Sequence, residues 1–460
     1  MLPLCCRRPS LRTIRRSTRL ISSFRLDFDD TKSAYALHSD GELLRSILVL
    51  RLSAIDSFVD NSPAILDVAQ RFLPSALFDG VMRRSFFGQF VAGSSHDDVT
   101  KTHNEKFVEV GICSMPGPSI EDLPDDEQSL ANEDTHQREI LLDENVHAFL
   151  DSVTLAERTC VSGVRGAIQV KPTALVRPKL LTLLSRKITD SDGILPKIKT
   201  GELHGRLSDI ALEHDCLDEF NSTCSRLDDI AKACTRAKVN MFIDAEYHEM
   251  QPAIHALALI TQSSHNKGDC INVWNTQQAY LKETDAANKR HLEIADLSGF
   301  RYATKVVRGA YLEYERSRAQ STGRPDPIQS TYADTNASYN RTVDVLLQRA
   351  AIDQCGVMVA SHNEVSIQLA LEKMEKLNVE RQKGNVLFGQ LYGMCDYISY
   401  RLGQNGYRIY KATPYGSIGS TLLYLCRRAR ENRSILVNGR RERELLVAEW
   451  TRRRRDKTRH

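Results

Sequence analysis

The sequence predicts an α/β fold, a TIM-like (βα)8 barrel preceded by an N-terminal helical arm, and three observations carry the prediction. From about Val108 onward, short runs rich in β-branched residues alternate with stretches of helical periodicity, the pattern of repeated βα units. There are eight such runs, the number that closes a parallel barrel. No glycine-rich GxGxxG turn follows the first run, which weakens the rival reading of a doubly wound open sheet.

Residues 1–25 carry Arg7, Arg8, Arg12, Arg15, Arg16, Arg19 and Arg25 among serines and threonines, and no acid appears before Asp27. This is the profile of a mitochondrial transit peptide, whereas a secretory signal would need an uninterrupted apolar centre; a basic tail without targeting function is the plainer alternative. Residues 26–105 form the expected arm, with Leu43, Leu44, Ile47, Leu48 and Ile55 at helical spacing and breaks at Pro63 and Pro74.

Residues 106–436 form the expected barrel. Its predicted strands are Val110 to Ser114, Ala167 to Thr173, Met241 to Ala245, Ile271 to Thr276, Thr304 to Arg308, Val357 to Ser361, Val386 to Gln390 and Tyr407 to Ala412. Segments 116–134 and 190–205 read as loops. Several strands end in reactive side chains: Lys171, Asp244 with Glu246, Gln278 just beyond its strand, Lys305 with Arg308, and His362 with Asn363. Singly, each is an ordinary surface charge or core histidine. Carboxyl ends of barrel strands converge on one mouth, so the coincidence over five strands points to one site.

Tyr424, Arg427, Arg428 and Glu431 follow at i, i+3, i+4 and i+7, which stacks them on one helical face. Two adjacent guanidiniums can grip a carboxylate while Glu431 restrains them; a solvated Arg–Glu face is the bland reading. The last segment, 437–460, reads as a basic solvated helix that could also rest on an anionic leaflet.

Composition narrows the classes. With 460 residues, 41% hydrophobic and 26% charged, the chain can bury a sizeable core. A net charge of +3 gives no electrostatic case for nucleic acid. Eleven cysteines show neither CxxC pairs nor a disulfide framework, and no metal-ligand pattern is present. The longest uncharged stretch, Met250 to Asn266, is broken by Pro252, His255 and several polar residues, so no bilayer span is predicted.

The motifs FIDAE (Phe242 to Glu246), VRGAYLEYER (from Val307), VASHNE (from Val359), FGQLYGMCDYIS (from Phe388), PYG and YLCRRARENRSIL (ending at Leu436) resemble those of the proline dehydrogenase family. The resemblance is dense from about residue 166 to 450 and thinner in FDDTKSAY and FFGQFVAG. It implies a distorted barrel that binds FAD, oxidises L-proline to Δ1-pyrroline-5-carboxylate, and passes electrons to quinone at the matrix side of the inner mitochondrial membrane. By motif, Lys171, Asp244, Tyr424, Arg427 and Arg428 match substrate positions. Gln278, Lys305, Val307, Arg308, Ala310, Tyr311, His362, Asn363 and Glu431 match positions near the flavin. In that reading Arg427, Arg428 and Lys171 fix the carboxylate, Tyr424 packs the ring, and Asp244 keeps Lys171 charged and oriented.

Two departures stand out. Proline-specific members carry a tyrosine four residues before the glycine of PYG, where this chain has Ala412 and the hydroxyproline branch has a serine. A small residue there opens space for a ring hydroxyl, so hydroxyproline is a candidate substrate beside proline. The first strand, VGICSMPG, is less acidic and aromatic than the family pattern. A folate-reductase-like barrel flavoenzyme and a flavin-binding interaction protein without turnover are the alternative functions; the Arg427 and Arg428 pair argues for a small carboxylate.

Overall fold

A computed structural model describes residues 25–118, 120, 135–190, 214–434 and 436–458. The expected transit segment, apart from Arg25, and much of both predicted loops lie outside these residues, as does the side chain of Glu431. Eight strands, β1 (Ile112–Pro118), β2 (Gly166–Val170), β3 (Val239–Ile243), β4 (Val273–Gln278), β5 (Tyr302–Val307), β6 (Cys355–Ala360), β7 (Val386–Leu391) and β8 (Ile409–Tyr415), form one parallel sheet in the order β1-β8-β7-β6-β5-β4-β3-β2. Every strand lies beside its sequence neighbour, the outcome of successive right-handed crossovers.

The seam is closed by β1 and β8, paired from Ile112↔Ile409 to Pro118↔Tyr415. The ends of the order are β1 and β2, and at that edge the Ser114 amide donates instead to the Thr159 carbonyl, 3.1 Å away. The barrel is therefore distorted at one joint. Pro116 and Pro118 belong to β1 although their lack of N–H reads as a break; the strand's open edge leaves that donor unneeded.

Alternation assigns the faces. Cys113, Ala167, Phe242, Trp274, Ala303, Met358, Leu387 and Tyr410 fill the interior. Their neighbours Ile112, Ile168, Met241, Val273, Tyr302, Val357, Val386 and Ile409 join the core between strands and helices. Trp274 stacks on Phe242 with centroids 5.2 Å apart. Gly356 makes room for it, since a Cβ there would lie 2.7 Å from the indole.

The arm consists of short helices from Thr31 to Lys106. Phe78, Met82, Phe87 and Phe90 pack on Ile418 and Leu425 of the closing helix, Ile418–Ser434. The C-terminal helix, Leu436–Thr458, is basic but not simply solvated. Leu445, Leu446 and Glu449 are buried, and Arg453 and Lys457 reach Asp40 at 3.1 and 2.7 Å. An apolar stripe inside the arginine-rich segment found a partner in the arm.

Lys411 of β8, fully buried, joins the parts: it pairs with Asp396 at 2.7 Å, and Asp396 meets His38 of the arm at 3.0 Å. The Asp396 amide donates to Glu442 of the C-terminal helix at 3.3 Å. Burial, with the nearby Asp396 charge, pushes the Glu442 carboxyl up to about 7.

Candidate active site

Continuing the inward parity toward the carboxyl ends places Lys171 after β2, Asp244 after β3, Gln278 on β4, Lys305 and Val307 on β5, His362 after β6 and Ala412 on β8 at one mouth. Lys305 reaches across that mouth to Asp244, with Nζ 2.5 Å from Oδ1. Gln169 also donates to this oxygen, at 3.3 Å. The structure thus gives Asp244 a partner, Lys305, that the sequence reading had not assigned to it. Lys305 is 6% exposed, and its charge is placed by this contact.

Arg308 has the opposite parity and is held from the helix side. Its Nε donates to Asn336 at 2.9 Å, Nη1 to Ser361 at 2.7 Å and Nη2 to Ser366 at 2.8 Å. The guanidinium also lies 4.4 Å from the Tyr339 ring. Asn363 belongs to the same knot: its amide donates to Ser361 Oγ at 3.0 Å, and its Oδ1 caps the helix Glu364–Lys376 through the Ser366 amide at 3.0 Å.

Glu246, 2% exposed, accepts from the Thr173 amide at 2.8 Å and the Thr173 hydroxyl at 2.6 Å. Gln278 donates to the Glu246 carbonyl at 2.8 Å, so its side-chain oxygen is turned away from that contact. Burial raises the Glu246 carboxyl above its ordinary value, against the opposing pull of Lys171 and Thr173. Burial likewise lifts the Tyr311 phenol, reinforced by Glu246 and Asp244 and opposed by Arg427. The Tyr311 ring, after β5, lies 4.6 Å from that of Tyr247, after β3.

Arg428 lies with its guanidinium 5.2 Å from the Tyr424 ring. His362 is driven down to about 3 by burial first, then by Lys411, Arg428 and Arg308. Its Nε2 accepts from the Leu391 amide at 3.1 Å, so the neutral ring carries its proton on Nδ1. Ala310 sits exposed on the loop after β5.

His103 and His255 are held down to about 4, in both cases chiefly by burial, and His291 is also depressed by burial. Together with His362, these rings bind no proton in the range where the unfolded chain does. Each therefore contributes nothing to the pH dependence above about pH 6.5, and lowers stability as pH falls from there toward its folded value. Histidine ring NMR signals should show these four neutral at pH 5. Protonation of all four by pH 5 would contradict their burial.

Sequence reasoning found the strand-end cations and acids but missed the service residues Thr173, Ser361, Ser366 and Asn336. Ser361 and Ser366 flank the His362–Asn363 pair, and that adjacency was the available signal. Asn336 lies on a helix 28 residues from Arg308 and had none.

Among known proteins, the family described as proline dehydrogenase matches residues 131–441. Hydroxyproline dehydrogenase of Xenopus laevis is 36% identical over 93% of this chain and 90% of its own length. Proline dehydrogenase 1, mitochondrial, of Homo sapiens is 30% identical over 93% of this chain and 90% of its own length. A solved structure of proline utilization A from Bdellovibrio bacteriovorus superposes with a TM-score of 0.64 at 18% identity. That match covers 88% of this chain and 41% of the other, and shows a shared barrel fold.

Proposed function

Because the chain belongs to the proline dehydrogenase family, we propose that it is a mitochondrial FAD enzyme. It oxidises trans-4-hydroxy-L-proline, and L-proline less well, to the corresponding Δ1-pyrroline-5-carboxylate and passes the electrons to quinone. Oxidation of proline or hydroxyproline is the activity that the family and the relatives support. The observation that carries the reading is the ion pair of Lys305 and Asp244 across the mouth, Nζ 2.5 Å from Oδ1, at strand ends whose motifs, with those of Lys171, Arg427 and Arg428, resemble the family's substrate and flavin positions.

The residues present fit a flavin. Gln278, Lys305 and His362 line the mouth with hydrogen-bonding groups, Lys305 supplies positive charge that a reduced flavin would need, and Arg308 and Asn363 would act from the helix side of the same strand ends. When bound, the isoalloxazine supplies the redox step by accepting the hydride. The chain's own work is positioning. Arg427, Arg428 and Lys171 hold the substrate carboxylate, and Tyr424 covers the ring, so that the carbon beside the ring nitrogen is aligned and screened from water. Neutral His362 adds a donor without adding charge where a carbon must release hydride.

Hydroxyproline is favoured by Ala412. Tyr410 is an interior residue and Lys411 points outward to Asp396, so Ala412 faces inward two positions nearer the mouth. A methyl group there leaves room for a ring hydroxyl and its water. Ala412→Tyr is expected to raise the ratio of kcat/KM for proline over hydroxyproline by roughly 10- to 100-fold. The test of the whole reading compares L-proline and trans-4-hydroxy-L-proline with a soluble quinone. Turnover of neither would refute it, and a strong preference for proline would refute the Ala412 argument.

Mitochondrial placement is supported by the arginine-rich start and by relatives whose names carry that location. Among the described residues no helix is long and apolar enough to cross a membrane. Ile65, Val68, Phe72, Leu77 and Val81 are exposed on arm helices that back onto the closing helix, which supports peripheral contact with the inner membrane near the site.

A further inference from the structure

We infer that Glu246 is a positioning residue, which sets the Lys171 ammonium at the barrel mouth by holding the turn that follows β2. The inference rests on the imino-acid dehydrogenase reading and concerns how one of its carboxylate-binding cations is put in place. Lysine is a point charge on a flexible stem of four carbons, so its placement depends on its Cα and on the field around its nitrogen. Lys171 is the residue immediately before the short 3-10 turn Pro172–Ala174. Both carboxylate oxygens of Glu246 are committed to that turn, one on the Thr173 amide at 2.8 Å and one on the Thr173 hydroxyl at 2.6 Å.

Glu246 is itself anchored on both sides. Its amide donates to the Gln251 side chain at 3.0 Å, and its carbonyl accepts from Gln278 at 2.8 Å. Through its carboxylate and its own backbone, Glu246 therefore ties the ends of β2, β3 and β4 together with the start of the helix Gln251–His265. A neutral acceptor would serve to cap a turn. Burying a carboxylate costs much more than burying an amide or hydroxyl unless a cation answers it. Lys171 stands two residues before Thr173, which both carboxylate oxygens engage, and its charge opposes the effect of burial on Glu246. Asp244, the neighbouring acid, is engaged by Lys305 at 2.5 Å. Geometry and charge thus both run from Glu246 to Lys171.

The test measures the affinity of the purified holoenzyme for cyclopentanecarboxylate by isothermal titration. This probe keeps the five-membered ring and carboxylate but has no ring nitrogen, so binding is read without turnover. Glu246→Gln keeps the side-chain shape and is expected to weaken Kd by roughly 10- to 100-fold. Thr173→Val, which removes only the hydroxyl half of the contact, is expected to weaken it by a smaller factor in the same direction. In a Lys171→Ala background neither substitution should change Kd by more than about twofold, because what they position is gone. Thr173→Ser, which keeps the hydroxyl, should bind as the parent does.

Parental affinity in both Glu246→Gln and Thr173→Val would overturn the inference. So would a loss that persists undiminished in the Lys171→Ala background, since that marks a purely structural role. If Glu246→Gln does not fold, the Thr173→Val pair with and without Lys171 decides. If the parent protein does not bind the probe at all, the imino-acid reading fails, and this inference falls with it.

Discussion

Replacing Arg427 by alanine is expected to lower kcat/KM for either imino acid by about 1,000-fold, close to 4 kcal/mol, the worth of a charge-assisted bidentate contact in a closed site. Arg427 stands on the closing helix, beside the Arg428 whose guanidinium lies 5.2 Å from the Tyr424 ring. The substrate carboxylate keeps its charge throughout hydride loss. Most of the effect should therefore appear in KM, with a smaller part in kcat from misalignment of the ring carbon. Arg427→Lys should recover only a small fraction, because an ammonium cannot reproduce the planar fork. Steady-state kinetics with both substrates check this, and a change below tenfold would remove Arg427 from the substrate site.

The second large effect is expected at Asp244. Asp244→Ala leaves the Lys305 ammonium, 6% exposed, without the carboxylate that lies 2.5 Å from it. Removing one member of such a pair costs about 3 kcal/mol, because the remaining charge keeps its desolvation penalty and loses its partner. The urea midpoint should fall accordingly. In Asp244→Ala with Lys305→Met the stability should return to within about 1 kcal/mol of the parent, since the buried charge is gone, while activity stays lost. Unchanged stability in the single variant would show that Lys305 finds another partner.

These two cases differ in how far the chain alone foretells them. The arginine pair was legible because helical spacing is a local property: i and i+3 share a face wherever the helix is placed. The strand-end residues were legible for a similar reason. A period of two, started at an interior residue such as Phe242 or Trp274, puts Asp244 and Gln278 on the inward side. Strand limits were less well read. β8 runs on through Pro414 to Tyr415, beyond the Ala412 limit read from the sequence, and β1 through Pro116 to Pro118, where a proline-containing loop was expected. Proline is excluded from a strand only where its missing N–H is needed. Along β1 the edge toward β2 is open, and that is a fact of the closed sheet.

Partnership was not legible. Asp244, Lys305, Lys171 and Glu246 were all visible as charged strand ends, yet which cation faces which carboxylate depends on β4 lying between β3 and β5 and on how far each chain reaches across the mouth. The same holds for the basic C-terminal segment, whose apolar stripe buries against the arm.

By itself, then, the amino-acid order determined the repeating βα plan, the inward face of each strand, and the common helical face of Tyr424, Arg427 and Arg428, because all three follow from backbone periodicity. Only the tertiary structure decided that Lys305 answers Asp244, that Glu246 holds the turn after Lys171, and that one seam of the barrel stays open. Those depend on distances between residues far apart in the chain, and Coulomb and hydrogen-bond energies are set by such distances, not by sequence separation.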